Sequence, residues 1–432
     1  MRHFLLRAPF FLLLVCLPLL QTLEAKRFSY SQVHHMPLSI EKDYYIWRFL
    51  KQPNTSKAEA RSIIREVSHL NKKLKEAYRK KTGAYPNIKP TMPKYYLSEA
   101  KKWENRAQGN FAFKKGIAHI QRGQLKRAAE FFNAAYRIYN ERWEKDKCLF
   151  WLYLITKNTH YLDVMKEQSG HINMYRLLAS DITHDKYPKT IVTPKIDKSS
   201  IWGIDATDPI EWAKMKEKIF SKNADLNDLA EDCESEETIG MHTYIKARAC
   251  NYTKSYFPMP YRDFMSRYPI ERQALIYAIA RQESRFIPAA ISRSFALGMM
   301  QFMPFLIDHI AKQKGEKIDY DDIFEPLKAI EYANIHLDYL TKYLYHPLFI
   351  AYAYNGGIGF TKRLIRKKGN FRPGRFEPYL SMEKMKNAQA REYGKRVMTN
   401  YVIYMNMLGK PMRLLPFIKT LTDPYQTDRF RK

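Results

Sequence analysis

The chain has 432 residues, 45% of them hydrophobic and 27% charged, with 73 Lys and Arg against 44 Asp and Glu. That balance excludes wholesale disorder and leaves room for two or three domains. The net charge of +29 draws the surface toward polyanions without naming one.

The first 25 residues, MRHFLLRAPFFLLLVCLPLLQTLEA, set Arg2 and Arg7 before an apolar run from Pro9 to Leu20 and end on small Ala25. This is the pattern of a secretory signal peptide, and the run is shorter than the roughly 20 apolar residues of a spanning helix. The expectation is an exported, periplasmic protein that meets cell-wall glycan and acidic headgroups but not nucleic acid. Cys16 follows Val15 rather than a small residue, which argues against lipid attachment. Export leaves Cys148, Cys233 and Cys250. Cys233 and Cys250 flank a weakly periodic segment and are the candidate disulfide pair, with Cys148 an apolar filler. There is no CxxC or paired-histidine ligand spacing, and His34 and His35 read as solvated, so neither a metal nor another cofactor is expected.

From Leu38 to Leu178 the pattern is helical almost throughout, and 26–186 reads as a helical superstructure domain. In QLKRAAEFFNAAYRIYNERW, Leu125, Ala128, Phe131, Phe132, Ala135 and Ile138 recur at spacings of three and four, the mark of an amphipathic helix. The preceding FKKGIAHIQRGQ makes a second helix ending near Gly123, and DKCLFWLYLIT begins another pair. Without a fixed period, these helical hairpins predict an irregular superstructure rather than a regular repeat array. Between 187 and 260 the periodicity fades around Pro188, Pro194 and Pro209 and the acidic ADLNDLAEDCESEE, which reads as a junction. Regular helical patterning returns over 261–412, and 413–432 reads as a tail. The fold class expected is all-α.

The informative stretch is ERQALIYAIARQESRF. Glu283 falls on the same stripe as Leu275, Ile276, Ile279 and Phe286, so helical geometry turns a carboxyl inward. Pro288 stops the helix, leaving Glu283 on its last turn. A helix carboxyl end and an apolar pocket both disfavour the charged form, which raises the pKa and makes a general acid. The alternative for Glu283 is a structural ion pair with Arg281, Arg285 or Arg293.

The residues after Glu283 favour chemistry. ISRSFALGMMQFMP brings Ser292, Gly298, Gln301 and Met303, and FIAYAYNGGIG brings Tyr354 and Asn355, aromatic and amide groups suited to sugars. The series ESRFIPAAIS, GMMQFMP, AYNGG and REYGKRVMTNYVIY resembles the catalytic domain of the soluble lytic transglycosylases, over roughly Tyr261 to Leu408. The resemblance implies a lysozyme-like helical domain acting on peptidoglycan glycan strands, with Glu283 as catalytic acid and base. By the same resemblance, Ser292, Gln301, Met303, Tyr354, Asn355 and Tyr393 line the glycan cleft. Three positions depart from the family pattern. Phe295 stands for a usual glycine and is expected to narrow a subsite, Gly356 for the alanine of AYNAG, and Gln389 for a frequent glutamate. The amino-terminal helices resemble, less specifically, the superstructure preceding this domain in long family members, a surface for cell-wall machinery.

The mechanism the resemblance implies uses one carboxyl where most glycosidases use two. Glu283 protonates the oxygen between N-acetylmuramic acid and N-acetylglucosamine. The muramoyl acetamido oxygen stabilises the developing cation. Glu283 then takes the proton of the C6 hydroxyl, which closes a 1,6-anhydro ring without water. A hydrolytic muramidase of the same fold shares the acid step. A non-catalytic cell-wall scaffold is the third reading, and an intact Glu283 on an apolar face argues against it.

Overall fold

A computed structural model describes residues 26–93, 103–167, 172–196 and 203–427. The expected signal peptide, Cys16 included, lies outside them. The described chain is all-α, its only named strands being Ile191–Val192 (β1) and Ser255–Tyr256 (β2), which pair in parallel. No helix among the described residues is long and apolar enough to cross a membrane.

The amino-terminal helices include α1 (Ile40–Lys51), α2 (Trp103–Gln121), α3 (Leu125–Ile138), α4 (Arg142–Thr156) and α5 (Met174–Ile182). On α3, Ala128, Phe132 and Ala135 are fully buried, the stripe expected from the sequence. Phe132 packs beside Phe113 of α2 and Trp151 of α4, with ring centroids 5.1 and 5.6 Å away. Burying three aromatic rings together is what fixes this hairpin on its neighbour.

The segment 187–260 is more than a junction. It carries α6 (Pro209–Ile219), α7 (Leu226–Glu231) and α8 (Ile239–Ala249) around a small core of Trp212, Met215, Ile219, Cys233, Met241 and Ile245. Its periodicity is faint for two reasons. α7 spans only six residues, and α8 buries His242 and Thr243 along with its apolar residues, so no polar face stands out. The expected disulfide is not formed: Cys148, Cys233 and Cys250 are all free. Cys233 sits in the small core ahead of α8 and Cys250 caps the far end of that helix.

The carboxyl-terminal helices include α9 (Ile270–Glu283), α10 (Pro304–Lys314), α11 (Pro326–Thr341), α12 (Pro347–Gly356) and α13 (Ala388–Met407). Proline opens α10, α11 and α12, where its missing N–H costs no helical bond. α9 lies against α13, and α12 packs on the other part of α13. Residues 413–427 form no loose tail: α14 (Leu414–Lys419) docks on α5, with Leu414, Ile418 and Leu421 fully buried. Asp181 of α5 accepts the Leu415 amide at 2.7 Å and pairs with Arg413 at 3.1 Å.

Buried polar contacts tie the parts together. Arg48 of α1 meets Asp319 at 2.7 Å and Asp321 at 2.9 Å, and Tyr44 donates to Asp321 at 2.8 Å. Lys216 of α6 meets Glu41 of α1 at 2.6 Å. Lys395 of α13 meets Glu383 at 2.6 Å, and Tyr175 of α5 donates to the same carboxylate at 3.1 Å. Each pair is desolvated, so removing one partner costs far more than a surface ion pair would.

Thiol labelling checks the cysteine assignment. Without reductant, all three thiols should react in the unfolded chain. In the folded protein Cys250, only partly covered, should react well before Cys148 and Cys233, whose thiols burial pushes up to about 12.

Candidate functional site

Every residue of α9 from Ala274 to Ala280 is buried, so the helix delivers Glu283 to the interior on its final turn. The chain then leaves the helix abruptly, with Arg285 at φ 59° and Phe286 at φ 66°. Left-handed backbone at two non-glycine residues is strained, and strain of this kind collects at functional sites. Ser284 holds the departure in place: its Oγ donates to the Met299 carbonyl at 2.8 Å and accepts the Ile287 amide at 3.1 Å.

Glu283 forms no ion pair among the described residues. Arg281 instead donates to the Tyr256 carbonyl at 2.7 Å and to Asn400 Oδ1 at 2.8 Å, lying over the Phe257 ring. The short β1–β2 pairing thus anchors the end of α9 through Tyr256. The partner of Glu283 is neutral: Tyr393 of α13 donates its hydroxyl to Oε1 at 2.8 Å. Oε2 has no hydrogen-bond partner among the described residues. Burial pushes the Glu283 pKa up to about 7, and the Tyr393 bond offsets only part of that rise. Burial and the nearby Glu283 charge push Tyr393 and Tyr354 well above the usual phenol range, so both remain donors.

The loop after Glu283 turns back on itself through single bridges, Ile291 to Leu297 and Leu297 to Phe302. Gly298 stands at its bend with φ 75°, where a Cβ would sit 2.5 Å from the Ile323 carbonyl oxygen, so only glycine fits. Gln301, at φ 52°, donates its amide to the Ala290 and Gly298 carbonyls, both at 2.9 Å. Those bonds orient the side chain and leave its oxygen to accept. Ser292 closes the turn, its Oγ accepting the Ala296 amide at 2.9 Å. Tyr354 donates to the Met300 carbonyl at 2.8 Å. Met303 caps the start of α10 and Asn355 lies in the last turn of α12, both half-buried.

A cavity of about 660 Å³ opens beside Glu283. Its walls come from three parts of the chain: Trp143 and Asn173 from the amino-terminal helices, Trp212 and Tyr244 from the 209–250 unit, and Glu283 and Gln301 from the carboxyl-terminal helices and loop. Of the other expected residues, Tyr393 reaches the cavity through Glu283, while Ser292, Met303, Tyr354 and Asn355 stand outside its lining. Sequence reasoning missed Glu392, which lines the cavity next to Tyr393 and is held ionised, against burial, by Lys395, Lys147 and Arg391. No local pattern announces it, because its partners come from a separate helix as well as its own.

The three departures from the family pattern sit in different surroundings. Phe295 does not narrow a subsite: it is fully buried at φ 58°, against Tyr44 and Trp47 of α1 at 6.0 and 5.7 Å between centroids. Asn71 and Lys73 clasp the same turn through the Arg293 and Ser294 carbonyls, at 2.9 and 2.7 Å. A methyl group on Gly356 would come within 3.2 Å of Ala390 and Phe360, so an alanine there requires a small shift. Gln389 is exposed at the start of α13.

Residues 264–375 match the family model described as the Transglycosylase SLT domain. Over 223 residues the chain is 28% identical to the soluble lytic murein transglycosylase of Salmonella typhimurium, covering 50% of this chain and 34% of that protein. The Escherichia coli soluble lytic murein transglycosylase is 27% identical over the same length. The chain therefore spans about a third of the curated relatives it matches, 34% in each case. Among solved structures, the 70 kDa soluble lytic transglycosylase of Escherichia coli aligns over 88% of this chain and 67% of its own, at 18% identity and a TM-score of 0.49.

The raised Glu283 pKa makes a stability prediction. Its folded pKa of about 7 exceeds the ordinary 4.5, so the folded state loses stability as pH rises from 4.5 through 7. Glu283→Gln should therefore melt higher than the parent above pH 7, by about 3 kcal/mol of stability, with the gap closing by about pH 4 in calorimetric scans.

Proposed function

We propose that this chain is a lytic murein transglycosylase that cleaves the N-acetylmuramic acid to N-acetylglucosamine bond and leaves a 1,6-anhydromuramoyl end. The observation that carries the reading is a half-buried carboxyl with its pKa raised to about 7, hydrogen-bonded by Tyr393, at a cavity wall within a segment that matches the Transglycosylase SLT domain.

Protonated Glu283 presents Oε2 to the glycosidic oxygen and gives up its proton as the bond breaks. The carboxylate that forms is stabilised at Oε1 by the Tyr393 hydroxyl, a bond that strengthens as its acceptor becomes charged. The acetamido oxygen of the muramoyl residue supports the cationic C1. The C6 hydroxyl then attacks C1, and Glu283 recovers its proton from that hydroxyl, ready for the next turn. One group serves as acid and base because its pKa lies close to the working pH. Gln301, its amide fixed to backbone, offers an oxygen to a sugar hydroxyl or N-acetyl N–H, while Tyr354, Asn355, Ser292 and Met303 shape the approach to the cleft. The same reading assigns the chain to the periplasm after loss of residues 1–25, with the amino-terminal helices facing cell-wall machinery.

Purified sacculi test the proposal directly. The wild type should release muropeptides ending in 1,6-anhydro-N-acetylmuramic acid, lighter by one water than hydrolytic products. Reducing-end products would make the enzyme a muramidase. Glu283→Gln should lose turnover by at least about 10⁴ while still folding and binding glycan, since two proton transfers depend on the residue. The kcat/KM profile should fall about tenfold per pH unit above about 7, as the acid form of Glu283 is lost.

A further inference from the structure

Loss of residues 1–25, read above as a signal peptide, makes Lys26 the first residue of the exported protein. The Lys26 backbone nitrogen donates to Asp319 Oδ2 at 3.0 Å, across 293 residues of sequence. Two residues on, Phe28 fixes the chain. Its amide donates to Gln52 Oε1 at 2.6 Å, its carbonyl accepts from Gln52 Nε2 at 2.8 Å, and its buried ring packs on Tyr45 at 5.1 Å between centroids. Lys26 is therefore held at Asp319 by the anchoring of Phe28 as well as by its own bond.

Asp319 and Asp321 stand at the 3-10 turn Tyr320–Phe324 that leads into α11, inside the segment matching the Transglycosylase SLT domain. Their side chains are only 8% and 14% exposed, and they share the guanidinium of Arg48. Arg48 reaches both oxygens of Asp319, and the Asp321 and Lys26 amides donate to one oxygen each. Asp321 is less well supplied: Oδ1 takes Tyr44 and Arg48, whereas Oδ2 is buried and accepts no hydrogen bond among the described residues. Burial pushes the Asp321 carboxyl above its usual range, and the Asp319 charge adds to the rise. Lys26 Nζ stands 3.5 Å from that Oδ2, at the end of a side chain 62% exposed, where water and salt weaken its pull. Two desolvated carboxylates against one desolvated guanidinium leave negative charge without a buried counter-ion.

We propose that processing completes this cluster: the α-ammonium released on Lys26 becomes its second cation and clasps the mature amino terminus to the catalytic unit. The proposal rests on the reading of residues 1–25 as a signal peptide. An endopeptidase of the exporting cell adds water across the Ala25–Lys26 amide and breaks its C–N bond. The Ala25 carboxylate keeps the oxygen, and the Lys26 nitrogen takes both hydrogens and the positive charge. With an ordinary pKa of about 8, that amine is charged at pH 7. Before cleavage the nitrogen is a neutral donor with one N–H. Afterwards it has three, placed 3.0 Å from Asp319 Oδ2 and on the residue whose side chain already approaches Asp321. A charge-assisted bond is roughly twice as strong as the neutral bond it replaces. The fastening of α1 to the loop before α11 is thus complete only in the processed form.

Two forms of the mature chain test the clasp: residues 26–432 with Lys26 as the free first residue, and the same chain with Gly-Ser ahead of it, which restores the amide and moves the ammonium away. The free form should melt about 3 °C higher. Its α-amine should acylate at pH 7 about tenfold more slowly than in the unfolded chain, because pairing raises its pKa by about a unit. In Asp319→Asn, which keeps an acceptor and removes the charge, the melting difference between the two forms should fall toward zero. Acylation, followed by mass spectrometry of the terminal peptide, is read on the unaltered sequence and decides the matter if Asp319→Asn does not fold. Equal melting of the two forms, or an α-amine that reacts at the unfolded rate, would overturn the clasp and leave the signal-peptide reading intact. Amino-terminal sequencing of the exported protein tests that reading separately. Lys26 is expected first, and any other first residue would overturn cleavage at this bond and the clasp with it.

Discussion

The site depends on one bond, the hydrogen bond from Tyr393 to Glu283. A carboxyl on the last turn of a helix that is otherwise buried has little solvent to stabilise its charge, and the helix end repels it. A cation beside it would solve that problem and lower the pKa, removing the acid. A neutral phenol does something different: it stabilises the carboxylate when it forms yet leaves the proton bound near neutrality. The surroundings preserve that choice. Arg281, two residues away, is drawn off to Tyr256 and Asn400, and Arg285 is turned by left-handed backbone toward Tyr244.

Placing that bond requires α9 and α13 to meet at fixed register, and the rest of the chain contributes to the registration. The loop after α9 is held from inside by Ser284, Gly298 and Gln301 and from outside by the amino-terminal region, through Phe295 on Tyr44 and Trp47, Asn71 on Arg293 and Lys73 on Ser294. The Arg48 pairs with Asp319 and Asp321 fasten α1 to the same side, and α14 returns to clasp α5. The helical superstructure is therefore a wall and brace of the cavity. The 209–250 unit adds a third wall, held to α1 by the buried Lys216 and Glu41 pair.

Several of these features were legible in the sequence because they are local. The stripe through Leu275, Ile279 and Glu283 needs only the helical repeat, and the inward carboxyl results from it. Prolines at the starts of α10, α11 and α12 punctuate the chain in the same local way. α8 was illegible for the opposite reason. Helix propensity and periodicity report a contrast between faces, and a short helix buried on most sides has none. The cysteines misled because spacing in sequence says nothing about surroundings: Cys233 is buried in the small core, while Cys250 caps the end of α8 and is only partly covered.

The sequence by itself determined an all-α chain, the inward direction of Glu283 and the set of aromatic and amide residues downstream of it. Tertiary structure alone decided which partner meets that carboxyl. Arg281, Arg285 and Arg293 are all closer to Glu283 along the chain than Tyr393, yet Tyr393 supplies the bond. Phe295 shows the same division: its identity was plain, but whether it faced a cleft or a neighbouring helix depended on where α1 came to rest. Side-chain direction within a helix is set by a repeat of 3.6 residues, whereas contacts between distant segments depend on how helices dock. Docking is settled by buried area and paired charge summed over the whole chain.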